Sequence, residues 1–266
     1  MNTAQVSIEL VLAGILALCA FVLPFFGGSK LSLDLLQSEA LIGFLGLAYL
    51  LGVIFDKLAD ALISPMEHSL RLRQADDYLN THKKFKGNDP FPQSNLEYRL
   101  RQADDGRLDW MNSLKSRIRT SRELAVLGLP ATMGIAIYQS SGETWMFVAV
   151  GLNLVVFILS AWLEDRLRPI KTDELSANDS TRRTQLKTAN QKIATASGPY
   201  YLLLAISIIT IASLALRESN PIVTWIGVGG LAVSMLALWT CLRITRTYIK
   251  FVAREMPAYI KDNNLD

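Results

Sequence analysis

The chain has 266 residues, of which 50% are hydrophobic and 19% are charged, and its formal net charge is +3. A soluble domain carries roughly 25% charged residues, so the composition favours a membrane protein over a soluble one. The modest net charge gives no indication of a nucleic-acid partner. Cys19 and Cys241 lie in apolar stretches without neighbouring ligand residues, so we predict no disulfide framework, no metal site and no cofactor.

The apolar residues gather into six blocks that are separated by polar stretches. Most blocks approach the ~20 residues that a helix needs to cross ~30 Å of hydrocarbon. We therefore predict an all-α polytopic membrane protein with about six transmembrane helices in three hairpins. The third block contains Gly128, Pro130 and Gly134, which also fits a distorted or re-entrant helix. The blocks cover residues 6–26, 40–63, 124–138, 144–163, 200–216 and 222–242.

The lysines and arginines are distributed very unevenly between the connections. Nearly all of them lie in the two long connections and after the last block, whereas the short connections offer only Lys30 and Arg217. The positive-inside rule then predicts that both termini are cytoplasmic. No basic residue precedes the first block, so we expect it to be retained and not cleaved as a signal peptide. The compact hairpin plan suits a bacterial inner membrane.

The predicted units follow the same division of the chain. They are a first transmembrane hairpin (1–63), a cytoplasmic helical hairpin (64–123), a second transmembrane hairpin (124–163), a cytoplasmic connection with one helix (164–198), a third transmembrane hairpin (199–242), and a basic cytoplasmic C-terminal helix and tail (243–266).

Asp56 and Asp60 are the most informative polar residues, because their spacing places both carboxylates on one face of a helix. They follow the apolar stretch of the second block, near its predicted inner edge. One interpretation pairs them with Lys57 or another basic neighbour. The other makes them line a water-filled path, where carboxylates from several subunits would select cations. Asn153 lies near the middle of a predicted span and is a further ion-path candidate, unless it makes an interhelical hydrogen bond.

The region from 64 to 123 carries two helix-start signals. Ser64-Pro65-Met66-Glu67 and Ser94-Asn95-Leu96-Glu97 each combine an N-cap serine with a capping-box glutamate. We expect a new helix at each site, and the second helix should be amphipathic. Its apolar stripe should pack on the first cytoplasmic helix, on a neighbouring subunit or on the membrane surface. The stripe comprises Leu96, Leu100, Ala103, Trp110, Leu114 and Ile118.

A short repeat occurs in this region, since the sequence Arg-Leu-Arg-Gln-Ala-Asp-Asp is found at 71–77 and again at 99–105. Antiparallel helices would pair the basic end of one copy with the acidic end of the other, at about 0.5 kcal/mol for each ion pair. Alternatively, the repeat offers an acidic face to a cation or a basic partner. The candidates for partner or inter-subunit contact are Arg73, Asp76, Asp77, Arg101, Asp104, Asp105 and Trp110.

The second long connection should contain one helix that begins at Asp179-Ser180 and ends before Gly198-Pro199, with Pro199 opening the fifth span. After the sixth block the helix should continue with alternating apolar and cationic turns. Such basic turns beside a span suit anionic lipid headgroups, or else a partner-docking tail. The headgroup candidates are Arg243, Arg246, Lys250 and Arg254.

Small residues in the spans predict close helix contacts, either within one chain or between subunits. These pairs are Ala13 and Ala17, Gly43 and Gly46, and Gly230 and Ser234.

Three classes of function fit these patterns. The first is a homo-oligomeric cation channel or pore-type effector that is controlled by its cytoplasmic helices. The second is a non-catalytic membrane subunit that recruits a soluble protein through residues 64–123. The third is an intramembrane transferase or small-solute transporter. We predict no catalytic site, because His68 and His82 lack partners at metal-ligand spacing and no phosphate loop or nucleophile elbow is present.

Overall fold

A computed structural model describes residues 3–26, 38–81, 107–139, 144–167, 179–218 and 221–262. Within these residues the secondary structure is entirely helical, as predicted. The helices are α1 (Thr3–Phe21), α2 (Ser38–Thr81), α3 (Arg107–Gln139), α4 (Thr144–Leu167), α5 (Asp179–Ala196), α6 (Gly198–Glu218) and α7 (Pro221–Asp262), with a 3-10 turn at Leu23–Phe26.

Four helical segments in the described part of the chain are long and apolar enough to cross a membrane. A shorter apolar helix, Val6–Phe21, forms most of α1. Large apolar side chains such as Ile42, Ile209 and Trp225 are exposed on the outside of the bundle, as expected for a surface that lipid covers. The total of six spans stays a prediction. The four segments are Leu41–Arg73, Met146–Leu163, Ser180–Arg217 and Pro221–Phe251.

The third apolar block forms the centre of the bundle. It belongs to α3, which packs most extensively against α7 and α1 and also contacts α2 and α6. The block is buried on nearly every side, and Leu127, Leu129 and Met133 are fully enclosed. Pro130 lies inside α3 and does not end it. The block is therefore part of one continuous helix.

The prediction of a new helix at Ser64 is wrong, because α2 runs without interruption from Ser38 to Thr81 and includes Pro65. Proline in a helix interior removes a backbone hydrogen bond and crowds the preceding turn. Here the residues on both sides of Pro65 are held by the core, with Leu62, Ile63 and Leu72 buried. Tertiary packing thus outweighs the local capping signal. The second signal, at Ser94, lies outside the described residues.

The helix boundary that we expected between 123 and 124 is also absent, since α3 continues through it. The segments predicted as separate cytoplasmic helices are therefore extensions of apolar helices. The predicted helix after Asp179 is confirmed at Asp179–Ala196. The next helix begins at Gly198, one residue before the Pro199 that we expected to open it. The helix after the sixth block continues to Asp262 as expected.

An aromatic cluster joins α1, α2 and α4, and a close backbone contact joins α1 and α2. Aromatic rings of Phe21, Phe55 and Phe157 form a mutual cluster with centroid separations of 5.0, 5.7 and 5.4 Å, a geometry that adds roughly 0.5–1.5 kcal/mol for each pair. In addition, α1 and α2 are in backbone contact at Gly14 and Gly52, where a β-carbon would overlap the opposite helix. This contact sets the position of Glu9 on α1 relative to Asp56 on α2 along the helix axes.

Candidate functional site

A cluster of charged residues lies where α1, α2 and α3 meet. It consists of Glu9 from α1, Asp56 and Asp60 from α2, and Arg119, Arg122 and Glu123 from α3, and we call it the carboxylate–arginine cluster. The three residues of α3 directly precede the third apolar block. Three of the carboxyl residues are buried, with exposed fractions of 5% for Glu9, 8% for Asp56 and 2% for Glu123.

Arg122 is the residue that binds the aspartate pair. Its Nη2 donates to Oδ1 of Asp56 at 2.8 Å, and its Nη1 donates to Oδ1 of Asp60. One planar guanidinium thus bridges two carboxylates that are one helical turn apart, which uses the fork geometry of arginine. Of the two interpretations of the aspartates, the structure shows pairing with a basic residue. The partner is Arg122 from a different helix, while Lys57 is exposed.

Arg119 connects the same site to α1. Its Nη1 lies 3.7 Å from Oε2 of Glu9, and its Nε lies 3.7 Å from Oδ1 of Asp56. Ser116 donates a hydrogen bond to Oε1 of Glu9. Glu9 was not singled out from the sequence, although a lone carboxylate inside an otherwise apolar block was the available signal. Its partners on α3 explain how α1 accommodates it.

Glu123 has a different environment from the other carboxyl groups. Its Oε1 is buried and has no hydrogen-bond partner. Glu123 lies outside the four long apolar segments, directly before the third apolar block. Burial raises the pKa of its carboxyl to about 8, with the charge of Asp56 adding to the rise and Arg122 and Arg119 opposing it. Sequence reasoning missed this residue because nothing local distinguishes it from a surface glutamate.

A second group of polar side chains lies beside Arg122. Glu67 is buried and lies 3.9 Å from the Arg71 guanidinium. The thiol of Cys241 on α7 lies 3.9 Å from Oε1 of Glu67 and 3.8 Å from the carbonyl oxygen of Ile118. Among the residues that the structure describes, no three His, Cys, Asp or Glu side chains are arranged so that they could hold a metal ion.

Asn153 is separate from the cluster and lies between three helices. Its Nδ2 donates to Oγ of Ser207 on α6 at 3.1 Å and contacts the sulfur of Met133 on α3 at 3.5 Å. Its Oδ1 is buried and has no hydrogen-bond partner. The interhelical hydrogen bond that we considered for Asn153 is therefore present.

Asn153→Leu should lower the free energy of unfolding by roughly 0.5–2 kcal/mol, the usual range for an interhelical hydrogen bond within a membrane bundle. Ser207→Ala should cost a similar amount because it removes the same bond. The double variant should then be no less stable than the worse single variant. Unfolding in mixed detergent measures all three changes, and strictly additive losses would contradict the assignment.

Leu114 and Ile118 of the predicted apolar stripe are covered by other helices of the same chain. Met111, Leu114 and Ile118 are buried in the main core cluster, together with Ile63 of α2 and Tyr248 of α7. Trp110 is 44% exposed, and its ring centroid lies 4.6 Å from that of Phe251. The part of the stripe at Leu96, Leu100 and Ala103 lies outside the described residues.

The partner or inter-subunit contacts that we predicted for the short repeat stay predictions. Arg73 is exposed on α2. Asp76 and Asp77 lie on the same helix, and the structure describes their backbone but not their side chains. Arg101, Asp104 and Asp105 lie outside the described residues. The reciprocal ion pairs between the two repeat copies are thus untested.

The headgroup candidates lie on the last part of α7. Arg243, Arg246 and Lys250 are exposed, and the guanidinium of Arg243 lies over the ring of Trp239 at 5.0 Å. Such cation–π stacking holds an arginine beside an interfacial tryptophan. The side chain of Arg254 lies outside the description.

Comparison of the chain with protein-family models, with curated proteins and with solved structures found no match. The chemistry of the site therefore follows from the side chains of this chain alone.

Proposed function

We propose that the protein is an oligomeric inner-membrane protein that conducts cations, and that the carboxylate–arginine cluster closes its path in the conformation described above. The observation that supports this proposal is the burial of Glu9, Asp56 and Glu123 around only two guanidinium groups. Carboxylates at the mouth of a membrane path attract cations. A guanidinium held between them occupies the positions that cations would take.

The polar extensions of α2 and α3 would control whether the proposed path is open. Both α2 and α3 continue unbroken from the apolar bundle into polar extensions, and the cluster lies where the extensions begin. A displacement of either extension would therefore move Arg119 and Arg122 relative to the carboxylates of α1 and α2. Contacts of Arg243, Arg246 and Lys250 with anionic lipid would hold α7 in place during that movement.

Arg122→Gln should raise cation flux through proteoliposomes by roughly ten- to hundredfold, because a charge-assisted hydrogen bond contributes about 1.5–3 kcal/mol to the closed state. Arg119→Gln should give a smaller rise, since the contacts of Arg119 are longer at 3.7 Å. Flux is measured with purified protein as the decay of a potassium gradient, and reversal potentials report the selectivity for cations over chloride.

Two control variants separate opening from damage to the fold. Arg122→Lys keeps the positive charge but loses the guanidinium fork, so its flux should lie between those of the wild type and Arg122→Gln. Arg122→Gln combined with Asp56→Asn and Asp60→Asn removes the two carboxylates that Arg122 binds, so the extra flux should fall. If the Arg119 and Arg122 variants are monodisperse, reconstitute normally and remain as ion-tight as empty vesicles, the proposed function is wrong.

A further inference from the structure

The buried part of the cluster carries more acidic than basic groups. Asp60 has a side chain that is 46% exposed, so water screens its charge. Three buried carboxyl groups then remain, on Glu9, Asp56 and Glu123, against the guanidinium groups of Arg119 and Arg122. If every carboxyl were ionised, one negative charge would be buried without compensation, which is costly in a low-dielectric interior.

The contacts identify the group that is left over. Asp56 accepts a hydrogen bond from Arg122 at 2.8 Å. The Oε1 of Glu9 accepts a hydrogen bond from Ser116. The Oε2 of Glu9 has no hydrogen-bond partner, but it lies 3.7 Å from the Arg119 guanidinium. The Oε1 of Glu123 has no hydrogen-bond partner and is inaccessible to water. Glu123 is therefore the carboxyl on which the excess charge would be least stabilised.

A proton fits this position better than a metal ion does. A divalent cation requires several converging oxygen ligands, and the described residues contain no group of three that could provide them. A proton requires a single carboxylate oxygen and no cavity. The upward shift of the pKa of Glu123 to about 8, caused mainly by its burial, agrees with this choice.

We propose that Glu123 is a proton-binding site whose loss of a proton loosens the carboxylate–arginine cluster. The groups that face it are Glu9 from α1, Asp56 from α2, and Arg119 and Arg122 from its own helix. An ionised Glu123 repels the first two and competes with them for the arginines. The coupling to opening rests on the proposed conduction of cations, whereas the proton site itself does not.

Infrared spectroscopy of the detergent-solubilised protein tests the proton site directly. Across a titration from about pH 6 to pH 10, the carbonyl band of a protonated carboxylic acid should disappear with a midpoint near 8. Glu123→Gln should abolish this titrating band, while Asp60→Asn, which alters the half-exposed carboxyl, should retain it. The wild-type titration needs no variant, so it remains informative even if Glu123→Gln folds poorly.

Thermal unfolding provides a second readout. The folded-state pKa of Glu123 is raised above its ordinary value near 4.5, so the folded protein binds more protons than the unfolded chain between these two values. The contribution of a neutral Glu123 to stability should thus be complete below about pH 4.5 and be lost as the pH rises through about 8. The glutamine side chain of Glu123→Gln is neutral at every pH, so this variant should lack the loss of stability that titration of Glu123 causes.

Failure of the proton site and failure of conduction have different signatures. Absence of a titrating carboxylic acid band near pH 8, or its persistence in Glu123→Gln, overturns the proton site whatever the flux measurements show. A band that behaves as expected, combined with ion-tight Arg119 and Arg122 variants, supports the proton site and contradicts conduction. If both hold, raising the pH through 8 should increase wild-type flux but leave Glu123→Gln unchanged.

Discussion

Gly52→Leu should prevent α1 from packing against α2, and we expect it to cause a large loss of stability. A β-carbon at Gly52 would overlap the carbonyl oxygen of Leu10, and one at Gly14 would overlap the carbonyl oxygen of Ala48. Both obstacles are backbone atoms, so no side-chain rotation can relieve the overlap. Overpacking usually costs about 1–3 kcal/mol and more where the backbone must shift, so we expect at least ~3 kcal/mol.

Gly43→Leu is the matched control, because Gly43 is on the same helix and no atom lies within 4 Å of a β-carbon built there. This change should alter stability by no more than about 0.5 kcal/mol. The comparison is made by the yield of monodisperse protein and by unfolding in mixed detergent. Equal effects of the two substitutions would show that α1 and α2 do not contact each other as described.

Arg122→Met should lower the free energy of unfolding by roughly 3–5 kcal/mol, because it leaves Asp56 buried without its closest charge partner. The side chains of Arg122 and Asp56 are each 11% exposed, so water cannot replace the lost hydrogen bond. Asp60 should contribute less, since its side chain is 46% exposed. Most of the expected loss in the free energy of unfolding therefore comes from breaking the Arg122–Asp56 contact.

A double-mutant cycle checks that assignment. Adding Asp56→Asn to Arg122→Met removes the unpaired charge and should restore much of the stability that the single change loses. Arg117→Met provides a control, because Arg117 lies on the same helix and is exposed. Equal destabilisation by Arg117→Met and Arg122→Met, or a double variant less stable than Arg122→Met alone, would contradict a buried ion pair.

The elements that the sequence predicted correctly are those specified by local pattern. The helix Asp179–Ala196 follows from an N-terminal Asp-Ser and a C-terminal Gly-Pro, and the continuation of α7 follows from its unbroken periodicity. The break predicted at Ser64 is the opposite case, because the capping signal is local whereas the packing of Leu62, Ile63 and Leu72 is not. Helix propensity is a weak prior when a buried face extends across a boundary.

The site was predictable only in part for the same reason. Asp56 and Asp60 could be recognised because their i, i+4 spacing is visible within five consecutive residues. Arg122 is 66 residues away from Asp56 and 62 from Asp60, so only the packing of α3 against α2 brings it there. Glu123 becomes distinctive only once its burial is known, and burial is a property of the assembled bundle.

The enclosed position of α3 has a consequence for how the chain enters the bilayer. The apolar block of α3 covers only residues 124–138, so α3 would partition poorly into lipid as an isolated segment. Its most extensive contacts are with α7 at the carboxyl-terminal end of the chain. Synthesis must therefore pass residue 221 before α3 can be fully surrounded, and a chain interrupted earlier would leave this helix as a target for quality-control proteases.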